Sequence, residues 1–139
     1  MNTVKPVYGK NPAKAYAKVG LETKVLSASP EELVTIMLEA VQSCVILARL
    51  YFQKGDIARR GESISKAISI IKSGLIPSID EDAGEVAQNM ILSFELMARH
   101  LLQANLKQQE ASLDTVETML KDITDAWKTA TATATANGK

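Results

Sequence analysis

One histidine and one cysteine are the soft nucleophile and base side chains of this 139-residue chain. Neither sits in a pattern that does chemistry. A helical phosphotransfer histidine must be exposed and normally has a basic residue and a glycine soon after it, whereas His100 is followed by Leu101, Leu102, Gln103 and Ala104. A di-iron helical bundle needs Glu-x-x-His on two helices, which one histidine cannot supply. Cys44 lies inside an apolar run and reads as a small core residue rather than a reactive thiol; alone, it forms no internal disulfide. No glycine-rich phosphate loop, metal-ligand cluster or nucleophile–base pair with a credible spacing is present. The carboxylates recur at helical intervals, as on solvated faces. The expectation is a protein that is not an enzyme and takes no cofactor and no metal.

The elements that would position any site are helices. Ser29-Pro30-Glu31-Glu32 is a helix start. The serine caps free amides, proline fits the first turn, the acids suit the positive end of the dipole, and Ser29 with Glu32 forms a capping box. A helix over about 30–53 follows, closed by Gly55-Asp56. The second carries Ile57, Ile64, Ile68, Ile71 and Leu75 on one stripe and is expected to end at Gly74 and Pro77. The third, about 84–107, has Val86, Met90, Phe94, Met97, Leu101 and Ala104 on one stripe, with Leu92 and Leu96 further round. The fourth, about 110–129, has Leu113, Val116, Leu120, Ile123 and Trp127 in a seam of threes and fours. No strand pattern appears. Similar lengths and short connections predict an all-α fold, an antiparallel up-down-up-down four-helix bundle with an N-terminal arm or short helix near Ala13–Val19. The expected organisation is an arm over 1–28, a helical bundle over 29–129 and a disordered or fraying tail over 130–139.

Composition narrows the function. The chain is 46% apolar, with 16 basic and 16 acidic residues. That balance lacks the basic surplus of a nucleic-acid binder, so no nucleic acid is expected. Glu39, Gln42 and Arg49 interrupt the first helix, so no stable membrane insertion is expected. The N-terminus has no apolar signal region, which points to the cytoplasm. Charge is uneven. Lys5, Lys10, Lys14, Lys18 and Lys24 in the arm oppose Glu110, Asp114, Glu117, Asp122 and Asp125 of the last helix, so the arm is expected to lie against that helix.

The first and third helices carry more apolar surface than one core contact uses. The surplus predicts a groove for an amphipathic segment of another polypeptide. Leu38, Val41 and Val45 share one side of the first helix and are candidate groove wall, with core an equal alternative. For Ile64, Ile68 and Ile71 the core reading leads. Asn105 could hydrogen-bond a partner backbone or satisfy the local helix end. A self-associating four-helix module, its spare faces forming a homodimer of the free protein, is the alternative of a different class.

Several patterns in order resemble the FliS family of flagellar export chaperones. They are Ala15-Tyr16 in the arm, Ser27 through Leu33 at the first cap, Gly55-Asp56, and Lys66-Ala67-Ile68-Ser69-Ile70-Ile71. Asp80, Arg99 through Leu106, and Ala126-Trp127-Lys128 complete the set. The resemblance covers about 13–129. It departs at Leu38-Glu39-Ala40-Val41, where the family has an aromatic followed by Asp-Gly-Ala, and at Ser93-Phe94-Glu95-Leu96, where it has a Leu-Tyr-Asp-Tyr-like stretch. The resemblance implies a cytosolic chaperone that binds the disordered C-terminal segment of unassembled flagellin. It would prevent premature polymerisation and assist delivery to a type III export gate component. It also implies flagellin contacts at Leu38, Val41, Val45, Ile64, Ile68, Ile71, Leu101, Leu102 and Asn105. Tyr16, with Val19, is implied as a lid or export-gate contact on the arm.

Overall fold

The structure, a computed structural model, describes residues 7–9, 11–21 and 28–137, with side chains as far as 132. Lys5, Lys10, Glu22 and Lys24, and the stretch 22–27 between arm and bundle, lie outside the described residues. The chain is all-helical. It contains α1 (Pro12–Lys18), α2 (Pro30–Lys54), α3 (Ile57–Ser69), a π-helical segment (Ile70–Leu75), α4 (Ile76–Ser78), a 3-10 turn (Glu81–Ala83), α5 (Glu85–Leu106) and α6 (Ala111–Asn137).

Local chemistry sets the ends of α2. The Ser29 hydroxyl accepts from the Glu32 N–H at 3.2 Å, while the Ser29 N–H donates to Glu32 Oε1, also at 3.2 Å. These bonds satisfy two amides that the helix start would otherwise leave unpaired. At the other end Gly55 takes a left-handed φ of 70°, reversing the chain, and Asp56 Oδ1 caps α3 through the Arg59 N–H at 3.1 Å. The second helix does not stop at Gly74. Pro77 has no N–H and its ring crowds the carbonyl four residues earlier, and the backbone widens into a π turn before it, closing after Ser78.

The core is built between α2 and α5. Each packs against both α3 and α6. Met37, Val41, Ile64, Ile71, Phe94, Met97, Leu101, Leu113 and Trp127 are sealed within it. Polar ties fix the register. Arg49, near the end of α2, donates Nη1 to Glu110 at 3.1 Å, Nη2 to Asp114 at 2.6 Å and Nε to Glu117 at 3.1 Å. At the opposite end Trp127 Nε1 donates to Thr35 Oγ1 at 3.1 Å. These two contacts run α6 back along α2. Arg60 of α3 is 7% exposed and lies over the Phe52 ring, 4.6 Å from its centroid. Its Nε donates to Asn105 Oδ1 at 3.1 Å and its Nη2 to the Asn105 carbonyl at 3.3 Å, closing the C-terminal end of α5.

Some sequence expectations change here. Within the arm, α1 packs on α2, the π segment and α4, and among the described residues the arm meets the last helix through Tyr8 on Trp127. The acids at the start of α6 face Arg49. Ile57 and Val86, the first members of their stripes, are 62% and 66% exposed, because they sit in first turns beyond the reach of neighbouring helices. Helix α6 continues through 130–137. Alanine alternates there with threonine, no glycine or proline intervenes, and Thr131 Oγ1 bonds back to the Trp127 carbonyl at 3.0 Å.

The N-terminal strap is latched at the end of the bundle. Tyr8 pairs as an isolated bridge with Ile79, and the Asp80 N–H donates to the Val7 carbonyl. The Tyr8 ring meets Trp127 edge to face at 5.9 Å, and its hydroxyl donates to Glu31. Burial, then the Glu31 bond and charge, push the Tyr8 phenol from 10.0 up to about 12. The Tyr8 hydrogen bond in turn holds Glu31 below its usual range. The latch is therefore whole below pH 10 and is lost as pH rises toward 12. On the acid side it is lost as pH falls through the lowered Glu31 value.

Two outcomes follow from these ties. A tyrosinate absorbance titration should contain one phenol ionising near pH 12, and Tyr8→Phe should remove that step; a profile unchanged by the substitution rejects the latch. Arg49→Gln should lower the stability read from urea unfolding by about 1–2 kcal/mol, kept small by the solvent-exposed carboxylates, and the loss should shrink in high salt. No change at low salt would mean that the three-carboxylate contact does not hold α6 to α2.

Candidate partner-binding surface

Helix α2 is the only described helix long and apolar enough by composition to cross a membrane, and the structure shows what its apolar groups do instead. Leu33, Val34, Met37, Leu38, Val41, Cys44, Val45 and Ala48 face inward and are buried. Ile46, Leu47 and Leu50 face outward, at 59%, 43% and 39% exposed. At helical spacing, 46 and 50 lie one turn apart, and Leu47 stands beside them. They form an apolar ridge.

A groove flanks the ridge on each side. Between α2 and α3, Ile36, Ala40, Cys44 and Leu47 make the apolar wall, Leu21 from the arm closes one end, and Glu39, Glu62 and Lys66 mark the rim. Between α2 and α6, Val45, Ile46 and Leu120 line the floor, with Lys121, Asp125 and Lys128 at the rim. The rim charges are mixed in sign. Lys121 donates to Asp125 at 2.7 Å, and that bond with its charge raises the lysine. Burial raises the Cys44 thiol, with Lys66 opposing, so at neutral pH the sulfur is a protonated, apolar part of the groove wall. Among the described residues no group of His, Cys, Asp and Glu side chains is disposed to hold a metal. Two apolar grooves with polar rims can bind amphipathic polypeptide.

The arm shares this face. Ala15 is buried, and Tyr16, Val19 and Leu21 are half-buried against the core. The seat is tight at Gly74 of the π segment. A Cβ there would lie 2.9 Å from Val19 Cγ1 and 2.6 Å from Met37 Sδ, so only glycine lets α1 approach so closely. Tyr16 and Val19 thus meet on the inner side of the arm. The aromatic anchor of the strap is Tyr8.

The residues expected to bind a partner divide sharply. Leu38, Val41, Val45, Ile64, Ile71 and Leu101 are 0–1% exposed and belong to the core. Val45 still reaches a groove floor. Ile68 is half-buried, and Leu102 is 48% exposed on the outer face of α5. Asn105 is half-buried, and its side-chain oxygen accepts from Arg60 Nε of α3 at 3.1 Å. Periodicity finds the apolar faces of a helix but not which of them meets a neighbour. The ridge at Ile46, Leu47 and Leu50 was legible only as surplus, because a wide apolar helix names no outward side.

The family model described as flagellar protein FliS matches residues 12–134. The flagellar secretion chaperone FliS of Salmonella typhimurium strain LT2 is 40% identical over 123 residues, 88% of this chain and 91% of that protein. Its namesake in Escherichia coli strain K12 is 41% identical over 123 residues, 88% of this chain and 90% of that protein. The Bacillus subtilis strain 168 protein of the same name is 31% identical over 121 residues, 87% and 86% of the two chains. This chain belongs to the FliS family of flagellar secretion chaperones.

Proposed function

We propose that this protein is a cytoplasmic chaperone for flagellin. It binds the C-terminal segment of the unassembled subunit, keeps it from polymerising prematurely and helps deliver it to a type III export gate component. The observation that carries the reading is the apolar ridge of Ile46, Leu47 and Leu50 between two grooves with polar rims. The proposed platform is an antiparallel up-down-up-down four-helix bundle, in keeping with the cyclic packing of α2, α3, α5 and α6. Amphipathic helices of a client that is disordered when free would lie along the ridge, one to a groove, and fold as they bind. The arm occupies the neighbouring seat through Tyr16 and Val19. In this reading it covers apolar surface in the free protein and offers the export gate a contact. Leu38, Val41, Ile64, Ile71 and Leu101 then serve the client indirectly, by holding the ridge rigid.

The chain should form a soluble one-to-one complex with full-length flagellin, seen by size-exclusion chromatography with light scattering. Deleting flagellin's C-terminal segment should abolish it; undiminished binding to the truncated subunit would refute the client assignment.

Charge placed on the ridge should separate binding from folding. Leu47→Asp should weaken flagellin binding by about 30-fold or more while leaving helicity and melting temperature near wild type. Val41→Asp, in a position that is 0% exposed, should instead cost several kcal/mol and unfold the bundle. Calorimetric titration beside thermal circular dichroism reads both. Full affinity in a folded Leu47→Asp protein would remove α2's outer face from the site.

A further inference from the structure

Arg60 is a buried cation without an anion. It is 7% exposed, and its two donated bonds, from Nε and Nη2, both end on neutral oxygens of Asn105. A guanidinium keeps its charge in proteins, and taking that charge out of water is costly unless an anion meets it. Among the described residues Arg60 forms no ion pair. The acids at this end of the bundle are engaged elsewhere. Glu110, Asp114 and Glu117 hold Arg49. Asp56 caps α3 and pairs with Arg59 at 3.7 Å.

The donors left over ask for an acceptor. Because arginine only donates, the Asn105 side-chain oxygen faces it and the Nδ2 amino group is turned away. Arg60 Nη1 and Asn105 Nδ2 make no hydrogen bond among the described residues. No fully buried side-chain nitrogen among those residues lacks a partner, so both atoms reach solvent. Gly61 stands beside them. A Cβ on it would lie 3.7 Å from Nδ2 and meet nothing closer, which leaves a notch between α3 and α5. Lys54 ends α2 and Lys107 follows α5, so both add positive charge to the same end of the bundle. The notch offers N–H donors and positive charge, and its own acceptors are taken up by Arg60. A carboxylate is its complement.

The notch lies where the apolar ridge runs out. Phe52, under the guanidinium, is two residues past Leu50, about 3 Å farther along α2. The groove rims beside the ridge mix both signs of charge, whereas the notch presents donors alone. A client helix seated along the ridge with its C-terminus toward Phe52 brings unpaired carbonyls, the negative end of its dipole and the chain's α-carboxylate to this end.

We propose that Arg60, Asn105 and Gly61 form a carboxylate site that takes the chain-terminal α-carboxylate of the client. The assignment rests on the reading of flagellin's C-terminal segment as client. It adds the direction in which that segment lies and an anchor for its last residue.

Two synthetic peptides of flagellin's C-terminal segment, one a free acid and one amidated, test the site by calorimetric titration. The free acid should bind about 10-fold or more tighter than the amide, because a charge-assisted contact is exchanged for a neutral one, and the gap should shrink in high salt. Gly61→Glu puts a carboxylate of the chain's own into the notch. It should keep helicity and melting temperature and bind acid and amide alike. Gly61→Ala, whose methyl sits at ordinary contact distance, should keep the discrimination. Equal binding of acid and amide to the unaltered protein overturns the proposal and leaves the client reading standing. Binding of neither peptide overturns the client reading as well. Discrimination retained in folded Gly61→Glu also overturns the site. So does a folded Arg60→Gln protein that loses affinity equally for acid and amide, because the anion is then an acidic side chain of the client and not its terminus.

Discussion

Burial of the inner side of α2 is the constraint on which the rest of the structure depends. That helix has apolar residues around most of its circumference, and eight of them are buried. Removing them from water requires neighbours on more than one side. Helices α3 and α6 supply two, the π segment and α1 cover its N-terminal half, and α5 closes the core from across the bundle. Large buried groups, Phe94 and Trp127 among them, fill the middle, where even one methylene of misfit is felt. The side of α2 that remains outward is then apolar by necessity. Among the described residues, nothing covers that side fully.

Apolar packing alone lets long helices slide. Directional contacts at the two ends of the bundle prevent it. At one end the Arg49 guanidinium spreads its donors over Glu110, just before α6, and Asp114 and Glu117 on it, which a lysine could not do with one point charge. Arg60 adds a second tie there, with Phe52 and the last turn of α5 as its partners. At the other end Trp127, Thr35, Glu31 and Tyr8 form a continuous set of ring and hydrogen-bond contacts. The N-terminal strap thus belongs to the same network that registers α6 on α2. A seated arm and a stable bundle end are one arrangement.

The proposed function lives on faces rather than in a pocket of reactive groups. The buried thiol of Cys44 is part of a groove wall, and the charged groups cap, tie or solvate helices. This accords with a family of flagellar secretion chaperones. A rigid interior would suit the proposed client role, because ordering a disordered segment is unfavourable and a platform that also had to order itself would bind more weakly.

The sequence by itself determined the helices. Period, caps and breakers are local properties, so the capping box at Ser29, the reversal at Gly55 and the seam from Leu113 to Trp127 could be read directly. The ordered motifs also identified the family. Only the tertiary structure decided which apolar residues are core and which are surface. Val41 and Ile46 look equally apolar in the chain, yet one is sealed and the other is 59% exposed, because a helix's outward side is set by where its neighbours stand. The same holds for polar groups. Nothing local to Asn105 names Arg60 as its partner, and nothing near Glu110 names Arg49. The passage of the second helix through Gly74 and Pro77 was likewise a tertiary outcome: a widened backbone turn lets the segment continue, and α1 seats where Gly74 has no side chain. Contacts between residues far apart in sequence depend on how whole helices dock, and that is fixed by the shape and volume of the shared core.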